Sequence, residues 1–208
     1  MFAAMYHGER FNSLTHLAAT ALAIAGSTVL IDRATEQGDP WKILAFSNFG
    51  LGLVLLYAAS TLYHSFRGPT KALLRKLDHA AIYLLITATY APFLLVSLRG
   101  PFGWTLFAII WLMALYGIWQ AWRRNDGGDP TPTPYLAMGW LGVTAFVPLV
   151  DKLGLAGLSW LAAGGILYTA GVLFYMNDRR WRHAHGFWHL FVMGGSASHF
   201  VAVLYFVN

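Results

Sequence analysis

His185 and His189 stand at i and i+4 in the run His185-Gly186-Phe187-Trp188-His189. On a helix that spacing puts both imidazoles on one face, one turn apart, where two ring nitrogens can meet a single metal ion. Ser60 and His64 repeat the spacing, with the hydroxyl one turn from the imidazole. A catalytic zinc takes three protein ligands and leaves its fourth position to water. His64, His185 and His189 supply three ligands, and Asp78 would either hydrogen-bond that water or be a fourth ligand. Zinc fits three imidazoles plus oxygen best, although ligand type alone admits other transition metals. The chain has no cysteine, so thiolate metal sites, thiol catalysis and disulfide staples are excluded. The plain alternative is that these histidines sit in the headgroup zone and bind phosphate or water.

Whether the groups meet depends on the elements that carry them. Of 208 residues, 57% are apolar and 11% are charged, too few charges to solvate a globular surface of this size. Asp, Glu, Lys and Arg are absent from residues 11–31, 43–63, 80–98, 100–122, 130–150, 153–177 and 190–208. Each interval is about 20 residues, the length that crosses a bilayer as a helix. The expectation is an all-α polytopic membrane protein, a bundle of seven transmembrane helices forming one domain over residues 1–208. The seventh helix should begin near His183, earlier than its charge-free interval. The segment 125–134, rich in Gly and Pro, should turn the chain between the fourth and fifth spans. Pro92 and Pro148 fall within spans three and five, where neighbours must satisfy the freed carbonyls.

Most of the 14 Lys and Arg residues lie on one side of this layout: Arg10, the cluster Arg67 to Lys76, Arg123, Arg124, and Arg179 to Arg182. Only Arg33, Lys42, Arg99 and Lys152 fall on the other side. The positive-inside rule therefore puts the N-terminus in the cytoplasm and the C-terminus outside. That asymmetry accounts for the net charge of +5 without a nucleic-acid partner. It also places His64, Asp78, His185 and His189 at one membrane depth, near the cytoplasmic face, although they come from three helices.

Ionisable groups in or beside a span are costly and call for a function. Glu9, Asn12 and His16 share one face of span one and would either form a second shell to the metal or tie the bundle together. His199 lies about 15 Å deeper than His189 at 1.5 Å per residue, too far for the same ion, and is expected to make an interhelical hydrogen bond. His79 points away from Asp78 on a helix and is left out of the site. His183 could face solvent or the second shell. The small residues from Gly194 to Ser198 would let another helix approach closely.

Glu9-x-x-Asn12-x-x-x-His16, Ser60-x-x-x-His64, Leu77-Asp78-His79, Thr89-Tyr90-Ala91-Pro92-Phe93 and His185-x-x-x-His189 resemble the haemolysin-III-related family. That family belongs with the progestin and adipoQ receptors and, more distantly, the alkaline ceramidases. The order and spacing match across nearly the whole chain, and the short length looks like the bacterial branch, hence an inner-membrane protein. The resemblance implies one zinc held by His64, His185 and His189, with Asp78 orienting a water on it and Ser60 beside it. A lipid amide or ester is the implied substrate, and membrane lipid homeostasis the implied setting. Three functions follow: a zinc hydrolase acting on a membrane lipid, a sensor or receptor with a structural zinc, and a haemolysin-like pore. The pore is disfavoured, since no span offers a charged ring to line a conduction path.

Overall fold

The computed structural model describes residues 8–123 and 130–208. Arg124 and the first part of the 125–134 turn lie outside the described residues. The described residues form helices joined by short turns: α1 (Arg10–Glu36), α2 (Pro40–Ser65), α3 (Thr70–Pro92), α4 (Pro101–Arg123), α5 (Thr133–Trp140), α6 (Phe146–Met176) and α7 (Ala184–Phe206). Six helical runs are long and apolar enough to cross a membrane. Together with an outer surface carrying Leu22, Leu112, Val147 and Leu155, they make this a multi-pass membrane protein.

Local chemistry sets the boundaries. Gly38, at φ +65°, ends α1, and Asp39 caps α2 by accepting from the amides of Trp41 at 2.8 Å and Lys42 at 3.3 Å. Pro40 occupies the first turn, where its missing N–H costs nothing. Pro92 ends α3, and the chain continues through a π-helical turn, Phe93–Ser97, closed by Leu98 N–H on the Phe93 carbonyl at 2.8 Å. Such a widening is one way to absorb the amide that proline lacks.

The fifth and sixth expected spans are joined. α5, a 3₁₀ segment (Leu141–Ala145) and α6 form one run, Thr133–Met176, of 44 residues. That is about twice the length needed for one crossing. Gly154 interrupts it with φ +66° and ψ 174°, a conformation open essentially to glycine alone. Tyr90 pins the 3₁₀ segment: its hydroxyl reaches the Met138 and Gly139 carbonyls at 2.8 Å each and accepts from the Gly142 amide at 2.7 Å.

α1 packs along α2, α2 along α3, and α6 along α7, while α1 also meets α7. The small residues of α7 receive α6: a side chain at Gly195 would collide with the Tyr168 ring. The Ser198 hydroxyl donates to the Trp160 carbonyl at 2.8 Å, and His199 Nε2 donates to the Leu161 carbonyl at 3.0 Å. The latter is the interhelical bond expected of His199.

Candidate metal centre

α2 delivers His64 from its last turn and α7 delivers His185 and His189 from its first two. The three imidazoles form one cluster, with a ring nitrogen of each lying within 4.8 Å of those of the others. Ring centroids are 4.8 Å apart for His64–His185, 5.0 Å for His64–His189 and 4.8 Å for His185–His189. His64 and His189 are buried and His185 half-buried.

Each ring is held through Nδ1 by an oxygen. His64 Nδ1 lies 2.6 Å from Glu9 Oε2, His185 Nδ1 3.0 Å from Asp178 Oδ2, and His189 Nδ1 3.2 Å from the Asn12 carbonyl and 3.3 Å from Thr15 Oγ1. Carboxylates and carbonyls only accept, so Nδ1 carries a proton in each ring, and in the neutral imidazole Nε2 keeps its lone pair. His64 Nε2 is buried and has no hydrogen-bond partner among the described residues. Three imidazoles with occupied Nδ1 atoms and ring nitrogens within 4.8 Å of one another fit a metal ion, and the oxygens behind them are the outer partners that ligating histidines require.

Asp78, in the third turn of α3, is buried and close enough to Ser60, one turn before His64, to interact with its hydroxyl. Glu9 ties the cluster to α1: its Oε2 also accepts from Asn12 Nδ2 at 2.9 Å and its Oε1 from Lys71 Nζ at 3.2 Å. Burial alone would raise the Glu9 carboxyl, but hydrogen bonds from His64 and Asn12 and the charge of Lys71 outweigh it and hold it below the usual carboxylate range. Asp178 is likewise lowered, by the hydrogen bond from His185. His16 stacks flat on His189, with centroids 3.6 Å apart at 10°. Both of its ring nitrogens are buried without a partner among the described residues.

Among the other expected positions, His79 lines the adjoining cavity and His183 caps α7 in a left-handed conformation, edge-on to Phe11 at 6.1 Å. Asp178, Thr15 and the Asn12 carbonyl had no spacing signal. They reach the histidines only through the fold.

A mostly apolar cavity of about 650 Å³ extends from the cluster, with His16, Ser60, Asp78, His185 and His189 in its wall at one end. Its α6 wall runs from Tyr175 to Leu155, about 30 Å along the helix at 1.5 Å per residue. Leu155, Val143 and Phe146 line it and are themselves exposed, at 75%, 57% and 52%.

The model of the family described as "Haemolysin-III related" matches residues 4–200. "Hemolysin-3" of Bacillus cereus is 43% identical over 201 residues, covering 96% of this chain and 91% of that protein. "Hemolysin-3 homolog" of Bacillus subtilis (strain 168) is 43% identical over 200 residues, covering 95% and 93%. The human "Monocyte to macrophage differentiation factor" is 32% identical over 200 residues, covering 92% and 81%.

Proposed function

The chain belongs to the haemolysin-III-related family, and from that premise we propose that it is a zinc-dependent hydrolase acting on a lipid amide or ester within the bilayer. The observation that carries this reading is the cluster of three Nδ1-anchored imidazoles, two of which line an apolar cavity together with Asp78 and Ser60. In this reading the chain crosses the bacterial inner membrane seven times, counting the run Thr133–Met176 as two crossings. Its N-terminus is cytoplasmic, and it works in membrane lipid homeostasis.

His64, His185 and His189 would hold the ion. Bound there, zinc supplies a Lewis acid for the scissile carbonyl and makes water a nucleophile near neutral pH. Asp78 accepts the proton of the attacking water as general base. Ser60 holds Asp78 in place and, turned toward the substrate, donates to the developing oxyanion. The acyl chain enters past Val143, Phe146 and Leu155 of the bent Thr133–Met176 run and lies along the apolar wall, which excludes water from the reacting carbonyl.

The test is metal analysis of detergent-purified protein followed by a screen of long-chain amides and esters. About one zinc per chain, lost in His185→Ala/His189→Ala, together with turnover lost in Asp78→Ala, supports the hydrolase. Zinc without turnover of any lipid supports a sensor in which the metal is structural. That second reading has its own support: the ligands come from α2 and α7, and α1 braces them through Glu9 and Asn12, so an ion there would pin three helices together.

A further inference from the structure

We propose that Asp178, on the turn between α6 and α7, is a positioning residue of the metal centre that fixes the His185 ring with Nε2 facing the ion. The inference rests on the metal reading above.

Asp178 Oδ2 lies 3.0 Å from His185 Nδ1. A carboxylate can only accept, so this bond selects the tautomer with Nδ1 protonated and leaves Nε2 as the ligating atom. His185 needs this support more than its partners do. Its side chain is 20% exposed, against 3% for His64, so packing restrains its ring least. Asp178 itself is 40% exposed and lies outside the apolar helices.

The turn is built to present this carboxylate. Asn177 Nδ2 donates to the Leu173 carbonyl at 2.8 Å, and the amides of Arg180 and Trp181 donate to the Asn177 carbonyl at 2.9 Å each. His183 then adopts φ +62°, reversing the chain into α7. A left-handed non-glycine residue persists only where its surroundings enforce it. The N-cap of α7 has no side-chain hydrogen bond. The Asp178 carboxylate is directed to the imidazole.

Zinc and cobalt(II) are the probes, with the full-length protein in detergent. Asp178→Ala should weaken zinc binding about 10–100-fold in chelator competition and shift the cobalt d–d absorption, while the metal-free melting temperature stays at the wild-type value. Asp178→Asn keeps an acceptor oxygen without the charge, and its affinity should fall between the two. Wild-type affinity and cobalt spectrum in Asp178→Ala would overturn the assignment. Where Asp178→Ala does not fold, Asp178→Asn decides: a several-fold loss supports the role and no loss overturns it. If the wild type itself binds neither ion, the metal reading fails and takes this role with it. Binding by wild type and variant alike fails Asp178 alone.

Discussion

Glu9 Oε2 lies 2.6 Å from His64 Nδ1, a contact between the residue preceding α1 and the last turn of α2. The carboxylate orients the ring and supplies negative charge behind it, which raises the basicity of Nε2. Glu9→Ala should therefore weaken zinc binding about 10–100-fold, and Glu9→Gln by less. Chelator competition on the purified protein measures both, and wild-type affinity in Glu9→Ala would remove the carboxylate from the metal's support.

Metal removal should loosen the bundle. A ligand that binds only the folded state at 100 times its Kd contributes about 2.7 kcal/mol. A chelator should accordingly lower the melting temperature of the wild type in detergent and leave that of His64→Ala/His189→Ala unmoved. Equal responses would mean that the ion, if bound, bridges nothing.

Asp78→Asn separates binding from chemistry. Loss of a general base costs about 10²–10⁴-fold. The expected variant retains its zinc and loses at least about 100-fold in lipid turnover. Turnover at the wild-type rate would assign the proton transfer to another group.

Tyr90→Phe removes the hydroxyl that the Met138 and Gly139 carbonyls and the Gly142 amide share. Each lost bond is worth about 1 kcal/mol. Hydrogen exchange at the Gly142 amide should accelerate by roughly tenfold or more, with no change in zinc content. Unchanged exchange would show that the 3₁₀ segment holds itself.

Gly154→Ala should destabilise the protein by about 1–3 kcal/mol, because φ +66° with ψ 174° excludes a β-carbon on backbone grounds alone. The space around the glycine is open, so packing adds nothing to the cost. A thermal melt of the variant at the wild-type temperature would mean that the bend moves to a neighbouring residue without cost.

The spacing of His185 and His189 is enough to read two candidate ligands on one helix face, because a helix repeats its faces every three to four residues. His64 and Asp78 are legible for a different reason: charge-free intervals fix where spans end, and so set depth. Glu9, behind His64, is read from the face it shares with Asn12 and His16, but the braces of the other two imidazoles are not legible in this way. Asp178 reaches His185 through a turn with a left-handed His183, and His189 leans on a main-chain carbonyl, that of Asn12, which any residue would provide. The break between the fifth and sixth spans was marked by Asp151 and Lys152, yet the structure keeps these residues helical and bends at Gly154. Backbone freedom decided the bend there.

The bond from His189 to the Asn12 carbonyl spans 177 positions of sequence. A chain growing into the membrane would present His64 and its Glu9 brace early, but two of the three imidazoles arrive with the final helix. A ribosome-bound chain stopped after α6 could hold an ion only weakly. On the proposed reading, metal capture waits for α7, and a zinc-dependent gain in protease resistance would time its insertion.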